Sequence, residues 1–232
     1  MEDVPKPFLD HLEELRFRLI KALISVAGGT VAGFLLVDPV IRYLAKPVGK
    51  FVYLVPTEAF FIRLKIALAL GFFLALPFIL FQIWQFVVVA LKPKEKKTIL
   101  WILPTSYLLF AAGASFALFY LVPAGAKFLL SYSSDILVSN ISIESYVNFA
   151  GVFCLVLGAT FQMPLVSFFL SKIGLLDSRW LSNKRRWAVL IFYISSAILT
   201  PGPDPVTAIM LFIPTYCLFE CSILTARMAR AR

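Results

Sequence analysis

Residues 58–91 read EAFFIRLKIALALGFFLALPFILFQIWQFVVVAL, and past Arg63 and Lys65 no charge interrupts the run to Leu91. As one helix this stretch would approach roughly 50 Å, well beyond a hydrocarbon core of about 30 Å. It must therefore bend, tilt or project, and Pro77 supplies a kink. Its later part, Phe81-Gln82-Ile83-Trp84-Gln85-Phe86, is amphipathic and aromatic, as suits the lipid–water interface. Arg63 and Lys65 lie in the first turns, where long basic side chains snorkel to the surface. The stretch reads as a membrane-spanning helix.

The rest of the chain agrees. Of its 232 residues, 60% are hydrophobic and 15% charged, against roughly 25% charged in soluble domains. The expectation is an all-α polytopic membrane protein, one integral domain over residues 1–232, with about six transmembrane helices near 19–37, 58–80, 99–122, 143–170, 187–199 and 206–225. The first span carries Gly29-x-x-x-Gly33, a spacing that allows close helix approach. The connector from Asp38-Pro39 to Pro56 is apolar enough to pack. The third span holds Pro104, and an outer connector runs from Pro123 to Ile141. The fifth span, about 13 residues, is shorter than the roughly 20 a bilayer requires and should sit in locally thinned lipid. The acidic start lacks a cleavage pattern, so no removable signal peptide is expected.

Position explains the net charge of +9. Placed on the six spans, 16 of the 22 Lys and Arg fall on one side, leaving Arg42, Lys46, Lys50, Arg63, Lys65 and Lys127 opposite. By the positive-inside rule both termini are cytoplasmic. The basic balance is topology, which removes nucleic acid as a partner.

Reactive groups are sparse. A single histidine outside the spans excludes a multi-His metal site and an intramembrane Ser-His pair, and no nucleotide-binding Gly-rich loop is present. The expected protein is not an enzyme and carries no cofactor. Cys154, Cys217 and Cys221 lie in apolar stretches and read as small buried residues. What remains is acid set among bases. In His11-Leu12-Glu13-Glu14-Leu15-Arg16-Phe17-Arg18, just before the first span, Glu14 and Arg18 sit four apart and can pair, and Leu12, Leu15 and Leu19 share a face. Glu95 is the only acid in the loop Lys92-Pro93-Lys94-Glu95-Lys96-Lys97. It either balances charge in a solvated loop or joins Glu14 at the same membrane face to receive a cationic ligand. A carboxylate holds a guanidinium by two parallel hydrogen bonds, a fit an ammonium cannot reproduce, so two carboxylates could recognise paired arginines. Gln162, beside Pro164 inside the fourth span, either bonds helix to helix or serves a water-penetrated cavity. Glu220, in the last span, lies nearer the inner interface.

These residues form a set. His11-Leu-x-Glu14-Leu-Arg16-x-Arg18, Phe81-Gln-x-Trp84-x-Phe86, Glu95, Phe161-Gln-x-Pro164, Leu199-Thr-Pro201 and Pro214-x-Tyr216-x-x-x-Glu220 resemble, in order and over nearly the whole chain, the TatC family of the twin-arginine protein translocase. The resemblance implies a receptor and scaffold that binds the twin-arginine signal peptides of folded cargo at the cytoplasmic face. It implies that Glu14 and Glu95 hold the arginines, with Arg16 and Phe86 supporting the site. Gln162, Pro164 and Glu220 would contact partners. Those partners would be TatB-type and TatA-type single-span proteins in an oligomeric complex within membrane lipid, with transport driven by the proton-motive force. The family often has Glu where this chain has Gln162, which hydrogen-bonds but does not titrate. The location implied is a prokaryotic cytoplasmic (inner) membrane. A small-solute secondary transporter is the rival reading; it would show internal repeats and broken midplane helices, and no convincing repeat relates the two halves.

Overall fold

The computed structural model describes residues 8–49, 51–53, 55–88, 96–132, 141–200 and 204–230. The elements in order are α1 (Phe8–Phe34), α2 (Val37–Ala45), α3 (Glu58–Val88) and α4 (Lys96–Phe116). A π-helical turn (Ala117–Leu121) carries α4 into α5 (Val122–Leu130). Then come α6 (Ile143–Thr160), α7 (Met163–Lys172), α8 (Ser178–Asn183), α9 (Arg185–Leu199) and α10 (Pro205–Arg230). Among the described residues the only β feature is a parallel bridge between Val52 and Ser142. Among the described residues five stretches are long and apolar enough to cross a membrane: Leu12–Phe34, Glu58–Phe86, Trp101–Leu130, Ile143–Lys172 and Pro205–Ala229. α9 has 15 residues, so the fifth apolar stretch is as short as its sequence suggested.

The chain forms two compact units, residues 1–41 with 59–107 and residues 42–58 with 108–232. In the first, α1 and α3 run antiparallel at backbone contact. A Cβ on Gly29 would lie 2.5 Å from the Gly71 carbonyl oxygen, and one on Gly33 would lie 2.9 Å from that of Ala67. Glycine at these positions is what allows the approach, as the Gly29-x-x-x-Gly33 spacing anticipated. Further along, Arg18 meets Gln82. The pairs 29/71, 33/67 and 18/82 share one sum, 100, which is the register of two antiparallel helices. Arg63 pairs with Asp38 at 3.0 Å, so its guanidinium has a partner beyond solvent.

In the second unit α10 packs along α7 and α9, with α8 at one end. Its inward face carries Leu211, Thr215, Phe219, Ser222 and Ile223, all buried. Cys217 and Cys221 lie on the other face and are exposed, contrary to the buried role read from composition; Cys154 is buried. α4 and α6 meet closely, since a Cβ on Gly113 would lie 2.7 Å from the Leu157 carbonyl oxygen. Several hydroxyls in the spans turn back to their own helix, as Thr160 to Val156 at 2.7 Å and Thr215 to Leu211 at 2.9 Å, which satisfies those donors within an apolar surrounding.

Three elements depart from the sequence reading. The third span does not end near Pro123. The Val122 N–H reaches back five residues to the Ala117 carbonyl, and this wider π register accommodates a proline that would otherwise break the ladder. The fourth span turns at Phe161–Gln162 before α7 begins. The first outer connector, read only as apolar enough to pack, contains a helix, α2, with Asp38-Pro39 in its first turn, where proline is pre-organised.

Glu58, 8% exposed, anchors the start of α6: its Oε1 accepts from the Ser142 hydroxyl at 2.8 Å and the Glu144 N–H at 3.2 Å. Hydrogen bonds to a charged group are worth about 1.5–3 kcal/mol. Glu58→Ala is therefore expected to destabilise the protein by about that amount, read as a lowered unfolding midpoint in detergent, and Glu58→Gln by less. An unchanged midpoint would mean that α6 starts without this anchor.

Candidate functional site

α1 places Glu14 and Arg18 one turn apart on one face, and the pair forms. Arg18 Nε donates to Glu14 Oε1 at 3.1 Å and a terminal nitrogen donates to the same oxygen at 2.5 Å. Both side chains are more than four-fifths buried. From α3, the carbonyl oxygens of Gln82 and Gln85 accept from the other terminal nitrogen at 3.3 and 2.7 Å. These two glutamines interrupt the apolar run that follows Lys65 in α3, three residues apart, so they share a face. The planar guanidinium is held by one carboxylate oxygen and two amide oxygens. Phe17, Lys21 and Phe81 complete the walls of an open cleft of about 460 Å³.

Glu14 thus lines the cleft, bonded to Arg18. Arg16 points elsewhere on α1 and is exposed; Arg18 is the arginine that meets Glu14. Phe86 is half-buried at the end of the same stretch of α3 and is not one of the cleft's wall residues. Glu95 and the side chain of His11 lie outside the described residues. Gln82 and Gln85 were read only as part of an interfacial segment; isolated polar residues in an apolar run were the available signal.

The second polar group centres on Glu220. Its Oε2 accepts from Arg185 at 2.7 Å and its Oε1 from the Tyr216 hydroxyl at 3.0 Å, tying α9 to α10. Arg185 had been counted only as a topology charge. Gln162 sits half-buried at the turn between α6 and α7. Pro164 lies in the first turn of α7, and its carbonyl accepts from the Thr225 hydroxyl of α10 at 2.9 Å. These residues bind α7, α9 and α10 together. Among the described residues no group of His, Cys, Asp and Glu could hold a metal.

Comparison with known proteins places this geometry in a family. The sequence profile of the family described as "Sec-independent protein translocase protein (TatC)" matches residues 10–214. The Sec-independent protein translocase protein TatC of Carboxydothermus hydrogenoformans is 38% identical over all of this chain and 97% of its own length. That of Aquifex aeolicus is 35% identical over 96% of this chain and 95% of its own. A crystal structure described as the twin-arginine translocase receptor TatC superposes with a TM-score of 0.86 at 35% identity, covering 95% of this chain and 99% of that one. The five long apolar helices and these relatives make the protein a multi-pass membrane protein. The chain belongs to the TatC family of Sec-independent protein translocase proteins.

Proposed function

We propose that this chain is the receptor and scaffold subunit of a twin-arginine translocase, capturing the paired arginines of a signal peptide on folded cargo. The observation that carries the reading is the Glu14 cleft, where a carboxylate and two amide oxygens already hold a guanidinium by its planar fork. Such an acceptor set fits arginine and not lysine, because an ammonium cannot present coplanar donors. Glu14 receives one peptide arginine and Glu95 the other, with Arg16 and Phe86 supporting at the margin. The membrane is a prokaryotic inner membrane; the distribution of basic residues supports a site on its cytoplasmic face, with both termini inside and α9 as a short sixth span. Gln162, Pro164 and Glu220 lie in the region that receives TatA-type and TatB-type helices. The whole chain acts as one integral domain in an oligomeric assembly. It performs no bond chemistry, and the proton-motive force drives transport.

The test is photocrosslinking in membranes from probes beside Glu14 and Glu95, using a twin-arginine signal peptide and its twin-lysine counterpart. The expected result is labelling of the arginine peptide that is lost in Glu14→Ala and Glu95→Ala. Equal labelling by both peptides, indifferent to either substitution, would overturn the assignment and leave the acids as local charge balance.

A further inference from the structure

A cavity of about 310 Å³ lies in the second unit, and none of its lining residues belongs to the Glu14 cleft or the Glu220 group. The end of α2 and the residues after it contribute Tyr43 and Lys46; the π turn and α5 contribute Phe119, Val122 and Lys127; the first turn of α6 contributes Tyr146. Lys46 stands 5.5 Å from the centroid of the Tyr43 ring, which packs edge-on against Phe119. Among the described residues no carboxylate pairs with Lys46 or Lys127. Tyr146 is 5% exposed, its ring fixed between Phe51 and Phe149, and its hydroxyl has no hydrogen-bond partner. A buried hydroxyl left unsatisfied is costly, and most such groups have partners.

We propose that this cavity binds the phosphate headgroup of an anionic phospholipid. Two unpaired ammonium groups at the rim supply attraction for an anion. The Tyr146 hydroxyl, closed to water behind the wall, supplies a donor to a group that enters and shifts that wall. The cavity lies where two apolar stretches end, Lys127 near the close of Trp101–Leu130 and Tyr146 near the start of Ile143–Lys172. That is the depth of a headgroup. Phe119 and Tyr120 are exposed just below, along the same helix, as a wall for acyl chains. The volume is at the small end of the range of about 300–1,000 Å³ for ligand pockets, enough for a headgroup whose tails remain outside.

Native mass spectrometry of the purified chain, with phosphatidylglycerol or phosphatidylcholine added, tests the site. Preferential retention of phosphatidylglycerol is expected. Each basic residue near an anionic lipid surface is worth about fivefold, so Lys46→Gln with Lys127→Gln should weaken that retention roughly 25-fold. Tyr146→Phe, which keeps the packed ring, should weaken it about tenfold. Phosphatidylcholine should respond to none of these, and Lys46→Arg with Lys127→Arg should retain the preference. Equal retention of the two lipids by the native chain would overturn the proposal. So would losses confined to the lysine variants, which would put the headgroup on the surface, or displacement of the lipid by inorganic phosphate, which would make the site one for a free anion.

Discussion

Gly71→Leu is expected to cost about 3 kcal/mol or more of stability, the upper end of what overpacking does, and to abolish signal-peptide binding with it. The obstacle is backbone: a Cβ at Gly71 would come within 2.5 Å of Thr30 Cα, and one at Gly29 within 2.5 Å of the Gly71 oxygen. A side chain in the way could rotate aside, but a helix backbone cannot. α1 and α3 would have to separate along their shared register. Between membrane helices little hydrophobic force compensates, because lipid solvates the exposed faces as well as a neighbouring helix does; close packing is the source of cohesion. The effect should also travel. Arg18 and Gln82 lie three turns, about 16 Å, along their helices from the Gly29–Gly71 crossing, and both ends of that contact depend on it. Gly28→Ala is the control. A Cβ there meets nothing within 4 Å, so the adjacent position should tolerate the change that Gly29 does not. Unfolding midpoints in detergent and peptide binding on the same variants decide the matter. A native midpoint for Gly71→Leu would show that the crossing is not what holds this unit.

The same crossing marks what sequence could and could not convey. Gly29-x-x-x-Gly33 announced a close approach from one helix alone, because the spacing is local. Nothing local named Gly71 as its counterpart, since that pairing depends on how two distant segments meet. Glu14 and Arg18 were legible for the same reason: four residues on a helix is a fixed geometry. Gln82 and Gln85 join them from 64 and 67 residues away, a distance over which composition carries no register. Boundaries failed where one residue type has two uses. Pro123 usually ends a helix, yet a π turn carries the third span past it to Leu130. Asp38-Pro39 reads only as part of a connector, yet it lies in the first turn of α2. Hydropathy could not tell the two faces of α10 apart, because lipid and protein interior are both apolar, so Cys217 and Cys221 were assigned inward when they face out. The shortness of α9, by contrast, needed only a count of residues against the thickness of a bilayer.

Glu14→Gln is expected to weaken a twin-arginine peptide by about tenfold to a hundredfold, the worth of a charge-assisted hydrogen bond in a sheltered site. Arg18→Gln should do the opposite. In the resting chain Arg18 occupies the oxygen that a peptide arginine would seek, and its positive charge opposes that arginine's approach. Removing it should tighten binding by roughly two- to fivefold, the scale of an i, i+4 ion pair together with the relieved repulsion. It would also release the carbonyl oxygens of Gln82 and Gln85 for the incoming guanidinium. In Glu14→Gln with Arg18→Gln, the gain should vanish, because there is no carboxylate left to compete for. That non-additivity is the signature of competition at one group. The contrary outcome is equally clear. If Arg18→Gln weakens the peptide as severely as Glu14→Gln does, Arg18 positions the carboxylate instead of competing for it. Titration of a fluorescent signal peptide against the three variants in detergent separates the two, because they predict opposite signs for one substitution.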